Sequence, residues 1–227
     1  MKRALDLFCG AGGATKGLQR AGFHVTGVDQ KPQPRYCGDE FHWADALTFP
    51  LEGYDFIWAS PPCQAFSSLR FMYNAKVHPN LIPETRAMLL RNAKPFVIEN
   101  VEGAPLGDSG YLIVLCGTMF GLRTADGLAE LRRHRLFETS FSIPLRPACQ
   151  HNGVVIGAYG GHGRDRRRVV QVTGHSGGKS KRDGTQQFPL TLRREAMGIQ
   201  WMTNAELCQA VPPAYSEFIG RQALSYL

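Results

Sequence analysis

Short apolar runs separated by glycine- and proline-rich turns set the pattern of this chain. Arg3-Ala4-Leu5-Asp6-Leu7-Phe8 reads as a strand running into Cys9-Gly10-Ala11-Gly12-Gly13. Ala14 to Ala21 has helical composition, with Gly22 placed to end the helix. Phe23 to Val28 makes a second strand that ends on Asp29. Asp55-Phe56-Ile57-Trp58-Ala59 predicts a buried strand, followed by Ser60-Pro61-Pro62-Cys63-Gln64. Residues 65–82 have weak periodicity and read as a mobile loop, after which a helix is expected from about Pro83 to Asn92. Pro95 to Ile98 predicts another buried strand, ending on Glu99-Asn100-Val101. Tyr111 to Leu115 reads as a strand or as the buried face of a helix, two readings that a short apolar run does not separate. Arg132 to Glu138 places a basic cluster in a strand-like setting. Helices are expected over Leu192 to Ile199, over Ala205 to Gln209, and from Val211-Pro212-Pro213 towards the end of the chain.

Strand, glycine turn, helix and strand ending in an acid follow one another within the first 29 residues. That arrangement is a nucleotide-binding half of a Rossmann-like sheet. Glycines let a backbone pass close to a ligand, and a helix N-terminus offers free N–H groups. An acid at the end of the second strand can accept both hydroxyls of a ribose. Asp45, in Ala44-Asp45-Ala46-Leu47, could reach an adenine amino group or could cap a turn. Two prolines fix the backbone where the strand before Cys63 ends, so the thiol sits at the mouth of a sheet. There it is either a nucleophile or an ordinary loop cysteine.

Composition narrows the setting. The 227 residues are 43% hydrophobic, enough for one compact domain with room for a small appended module. No apolar run is long enough to span a membrane, and no signal peptide is read at the start. Six cysteines are scattered without the spacing of a disulfide scaffold, which favours free thiols and a cytoplasmic setting. The net charge is +7, and residues 141–187 carry nearly all of it, with eight Lys or Arg against Asp165 and Asp183. This glycine-rich stretch has few large apolar residues and reads as a small basic module made for phosphate contact.

Asp6-Leu7-Phe8-Cys9-Gly10-Ala11-Gly12-Gly13, Val28-Asp29, Ser60-Pro61-Pro62-Cys63-Gln64, Glu99-Asn100-Val101 and Arg133-His134-Arg135 occur in that order. Together they resemble the cytosine-C5 DNA methyltransferase family, over residues 1–138 and 188–227, with Leu190 to Trp201 and Ala210-Val211-Pro212-Pro213 similar to its closing motifs. The resemblance implies an α/β, Rossmann-like methyltransferase fold with a mixed central sheet. Residues 1–140, completed by 188–227, would form the catalytic and cofactor-binding domain, and 141–187 a short target-recognition module.

The resemblance also implies roles. S-adenosylmethionine would be the cofactor, held by Phe8, Gly10, Gly12, Gly13, Asp29, Asp45 and Pro61. Cys63 would add to C6 of cytosine, with Glu99 on the N3/N4 edge, Arg135 on O2, and Arg133 shaping the wall of the site. Positive charge near Cys63 is expected to favour its thiolate. Pro62, Gln64, Ser67, Arg164, Arg166, Arg167 and Arg168 would contact the substrate, a base flipped out of duplex DNA. The enzyme would act as a monomer with no obligatory protein partner, in a bacterium or a phage-infected host cell. RNA cytosine methylation and a catalytically silent DNA-binding relative are the alternatives. Three features depart from the family pattern: Leu131 in place of Gln, Cys208-Gln209 in place of Gly-Asn, and the brevity of 141–187. Cys149, His151, His162 and His175 fit ordinary zinc-finger spacing poorly, so no metal is expected.

Overall fold

The computed structural model describes residues 1–66, 78–151, 154–157 and 189–227. Ser67, Arg164, Arg166, Arg167, Arg168, His162, His175, most of the basic module and most of the loop after Cys63 lie outside the described residues. Five parallel strands form one side of a seven-stranded sheet. They are β1 (Arg3–Leu7), β2 (His24–Asp29), β3 (Glu40–Trp43), β4 (Phe56–Ala59) and β5 (Phe96–Asn100). β6 (Tyr111–Leu115) and β8 (Arg135–Thr139) complete it, in the order β3-β2-β1-β4-β5-β8-β6. β8 runs antiparallel to both of its neighbours. β7 (Ala129–Arg132) and β9 (Val154–Gly157) pair in a separate two-stranded sheet.

Alternation along the central strands builds a core on each face of the sheet, as expected where helices cover both sides. Phe56 and Trp58 join Ala4, Leu18, Val25, Val97, Phe137, Tyr215 and Ile219 on one face. Ile57 and Ala59 join Leu5, Leu7, Val28, Met88, Leu89 and Ile98 on the other. The first face is covered by α1 (Gly13–Ala21) and α5 (Pro213–Ala223), the second by α2 (Ile82–Asn92). α3 (Leu190–Met197) and α4 (Asn204–Gln209) pack with Leu131, Ala129 and Ala11 in a third cluster.

α1 ends as its composition predicts, on Gly22 at φ 106°, whose N–H reaches the carbonyls of Leu18 and Gln19. A side chain at Gly17 would collide with the Pro213 carbonyl and the Ser216 hydroxyl, so glycine lets α1 and α5 touch backbone to backbone. Ser216 Oγ closes the contact by donating to the Ala14 carbonyl at 2.8 Å. This is how the last helix is built into the cofactor half of the fold.

The expected elements are present, with boundaries shifted by a residue or two. Tyr111–Leu115 is a strand, because its backbone pairs along its whole length with β8. The basic stretch divides at Arg133-His134, which separates β7 from β8 and the small sheet from the large one. β3 has no counterpart in the sequence reading; it is an edge strand of mostly exposed residues, so no apolar run announces it.

Candidate active site

The strand order reverses direction between β1 and β4, and the segments that follow these two strands flank the resulting crevice. After β4, the Ser60 N–H donates to the Leu7 carbonyl at 3.1 Å and ties the turn to β1. Asn100 Nδ2 donates to the Pro61 carbonyl at 2.9 Å, while Asn100 Oδ1 accepts from the Val101 N–H at 2.9 Å. The buried amide thus clamps the Pro-Pro turn to the end of β5. The Phe66 N–H donates to the Cys63 carbonyl at 3.0 Å, beginning a tight turn beyond the thiol.

Because β8 is antiparallel, its first residue lies at the same sheet edge as the last residues of β4 and β5. Arg135 Nε therefore meets Glu99 Oε1 at 3.0 Å, with both side chains nearly buried. Arg135 Nη1 also donates to the His134 carbonyl at 3.0 Å. Glu99 is further hydrogen-bonded to Ser60, and Ser60 Oγ accepts from Trp58 Nε1 at 3.0 Å. Burial pushes the Glu99 carboxyl above its ordinary range, against the opposing charges of Arg135 and Arg133.

Burial also pushes the Cys63 thiol upward; Arg135 and Arg133 draw it back, and Glu99 adds to the rise. The arginines favour the thiolate as the sequence predicts, but desolvation outweighs them and the net direction is up. Arg133 is fully buried and turns towards the closing segment, donating from Nη2 to the carbonyls of Cys208 at 2.8 Å and Ala210 at 3.0 Å. Its own carbonyl accepts from the Tyr215 hydroxyl at 2.6 Å. Arg133 thus locks the wall of the site to α4 and α5.

On the other side of the crevice, Phe8, Gly10 and Gly12 have φ of 59°, 52° and 86°. Such angles are unusual for a phenylalanine and mark a constrained turn. The Gly10 N–H donates to Asp29 Oδ2 at 3.0 Å and the Lys31 N–H to Asp29 Oδ1 at 2.9 Å. The three glycines differ in their surroundings. Among the described residues nothing approaches a Cβ on Gly10, whereas one on Gly12 would meet Cys37 Sγ and one on Gly13 the Val211 backbone. Asp45 is exposed and its Oδ1 accepts from the Leu47 N–H at 3.0 Å, the turn-capping alternative. Asp6, buried behind the turn, hydrogen-bonds to Thr15 and is raised to about 7, chiefly by desolvation. Its Oδ1 has no hydrogen-bond partner among the described residues.

Cys63, Glu99, Arg133 and Arg135 are thus brought to one end of the sheet, beside the turn that carries Phe8 and Gly10 and the Asp29 carboxylate bound to it. Pro61 is buried, Pro62 half-buried and Gln64 exposed. Sequence reasoning assigned no role to Ser60 or Asn100, although both lie within the motifs it quoted. It missed Tyr215 altogether, since only the folded contact with Arg133 singles it out. A second group of side chains also converges near the Arg133–Arg135 turn: Cys116, His134, Cys149 and His151. Two of these belong to the zinc set considered from sequence, and two do not.

The fold is Rossmann-like, of the kind that S-adenosylmethionine-dependent methyltransferases use. Residues 2–112, just under half of the chain, match the model of the C-5 cytosine-specific DNA methylase family. Among solved structures, the chain is similar to the Dnmt2 methyltransferase of S. pombe, with a TM-score of 0.59 and 14% identity, over 100% of this chain and 99% of that one. It is also similar to a protein described as a prophage-encoded DNA modification methyltransferase from E. coli (TM-score 0.42, 18% identity, 60% of this chain), of which it spans only 45%. Spodoptera frugiperda DNMT2, as a triple mutant, gives a TM-score of 0.42 at 17% identity, over 71% of this chain and 56% of that one. No curated protein matches the sequence. No helix among the described residues is long and apolar enough to cross a membrane.

The methyl donor that this family implies is S-adenosylmethionine, and the residues present fit it. A carboxylate closes the second strand, and among the described residues nothing approaches a Cβ on Gly10 and Asp6 Oδ1 lies buried without a hydrogen-bond partner.

Proposed function

We propose that this protein methylates C5 of cytosine in duplex DNA through a transient bond between Cys63 and a flipped-out base. The observation that carries this reading is the convergence of Cys63, Glu99 and Arg135 at the ends of β4, β5 and β8, next to the glycine turn. Bound S-adenosylmethionine supplies an electrophilic methyl group. Phe8, Gly10, Asp29, Asp45 and Pro61 hold it, while Gly12 and Gly13 let the turn pack tightly enough to form that pocket.

Cys63 adds as a thiolate to C6 of the base, and the ring electrons move to C5, which becomes the nucleophile for the methyl group. Glu99, its carboxyl raised by burial, takes the N3/N4 edge of the base and offsets the charge that develops as sulfur adds. Arg135 reaches O2 of the base while keeping its bond to Glu99. Once C5 is methylated, its proton leaves to water, the C6–S bond breaks and Cys63 returns as a thiolate. Arg133 holds the wall rigid through the 208–210 backbone. Residues 1–140 and 188–227 act as the catalytic domain, and 141–187 grip the phosphates, with Arg164, Arg166, Arg167 and Arg168 as the principal cations.

Cys63→Ala is expected to abolish methylation of duplex DNA while S-adenosylmethionine still binds. Full activity in that variant would remove the thiol from the mechanism. Modification of RNA but not DNA by the wild type would replace the substrate class.

A further inference from the structure

Cys116, His134, Cys149 and His151 come from three separate segments yet point at one another. Cys116 follows β6, His134 sits in the break between β7 and β8, and Cys149 and His151 precede β9. Their four donor atoms all lie within 4.8 Å of one another. Cys149 Sγ is 3.0 Å from His151 Nε2 and 3.4 Å from His134 Nε2, and Cys116 Sγ is 3.4 Å from His151 Nε2. A tetrahedral zinc site with ordinary Zn–S and Zn–N lengths places its donors about 3.3–3.8 Å apart along each edge. Two of these separations fall in that range and no pair exceeds 4.8 Å, so the four donors are close enough to share one ion.

We infer that Cys116, His134, Cys149 and His151 form a Cys2His2 site for one structural zinc ion. Two soft thiolates and two imidazoles in a closed four-donor shell suit Zn²⁺ in preference to hard cations such as Mg²⁺ or Ca²⁺. The surrounding groups fit the assignment. His134 presents Nε2 to the cluster, and its Nδ1 lies 3.9 Å from Glu102 Oε2, the outer carboxylate that orients many metal-bound histidines. Thr118 Oγ1 donates to Cys116 Sγ at 3.5 Å and lies 3.7 Å from Cys149 Sγ, so it can support both sulfurs. The His134 and His151 rings meet edge to face at 5.2 Å, leaving both Nε2 atoms turned to the same point.

The position gives the ion a purpose. One ligand lies between Arg133 and Arg135, and two open the segment that enters β9, the first described strand of the basic module. Zinc would fasten the recognition module to the turn that holds the catalytic arginines. Cys116 and His134 were not in the set considered from sequence, and His162 and His175 of that set lie outside the described residues.

Metal analysis of the purified full-length protein tests this directly. One zinc per chain is expected, falling at least tenfold in Cys149→Ser, whose side chain is exposed and whose loss the core tolerates. His162→Ala and His175→Ala are expected to keep their zinc. Cobalt substitution of the wild type should give the absorption of a tetrahedral site with thiolate ligands, independently of any variant. Wild-type protein without stoichiometric metal, a Cys116–Cys149 disulfide in its place, iron instead of zinc, or zinc lost with His162 and retained without Cys149 would each overturn the assignment.

Discussion

At Cys63 two influences oppose one another, and their balance sets the behaviour of the free enzyme. Burial raises the thiol, while Arg135 and Arg133 lower it by a lesser amount. Only the thiolate adds to a ring carbon, so the rate should climb as pH rises and the thiol ionises. In the wild type, kcat/KM is expected to increase between about pH 7 and pH 9. Arg135→Gln removes the largest opposing charge and should move that rise to still higher pH, besides lowering the rate. A profile flat over this range, or one that falls, would contradict the desolvated thiol. Glu99 follows the same physics: burial raises its carboxyl, and Arg135 and Arg133 lower it by a lesser amount.

At the level of elements, β8 decides where the chemistry sits. Were it parallel to β5, Arg135 would lie at the opposite edge of the sheet from Glu99; antiparallel pairing puts them 3.0 Å apart. The same strand carries Glu138, fully buried, which accepts from Arg86 Nε at 2.9 Å and Nη2 at 2.8 Å and from Ser109 and Gly107. Despite burial, the Arg86 partnership and the hydrogen bonds hold its carboxyl at about 2. A depressed carboxyl contributes stability at neutral pH that is lost as pH falls below its ordinary 4.5 towards about 2. Glu138→Gln should cost about 3–5 kcal/mol at neutral pH by leaving Arg86 with the exposed Asp108, 3.3 Å away, as its remaining carboxylate partner among the described residues, and should flatten the acid limb of the stability curve. An unchanged acid limb in chemical denaturation would contradict the pairing.

Gly17 governs the other junction. Gly17→Ala improves helix propensity, but the methyl collides with the α5 backbone, so a net loss of about 1–3 kcal/mol is expected. A stabilised variant in thermal denaturation would show that α1 and α5 are not in close contact.

The strands that carry the motifs were legible because they are buried on both faces and end in residues with distinctive chemistry. Phe56 to Ala59 followed by Pro61-Pro62-Cys63 is such a case. The edge strand β3 was not legible, because half-exposed Glu40-Phe41-His42-Trp43 has neither a continuous apolar run nor a turn signal of its own. Arg133 was readable as a site residue, but its grip on the 208–210 carbonyls arises only when α4 and α5 fold back. The Cys2His2 cluster escaped for the same reason. Its four members are spread from 116 to 151 and meet through sheet pairing, so no spacing rule finds them. Burial of Cys63, which reverses the direction expected from nearby charge, is likewise a property of the fold rather than of the motif.

Across the whole molecule, charge is divided unevenly, with residues 141–187 carrying nearly all of the net +7. Such a division predicts tight but largely sequence-independent contact with the phosphate backbone. Affinity for duplex DNA should fall by about 10³-fold between 50 and 200 mM salt, the response of a protein neutralising several phosphates. A change of less than about tenfold over that range would argue that residues 141–187 do not bind phosphate.

The most direct test is nucleoside mass spectrometry on unmethylated duplex DNA incubated with S-adenosylmethionine and either the wild type or Cys63→Ala. New 5-methyldeoxycytidine is predicted with the wild type alone. Equal product from both proteins, or none from a wild type shown to bind the cofactor and the duplex, would contradict methylation of DNA cytosine through Cys63.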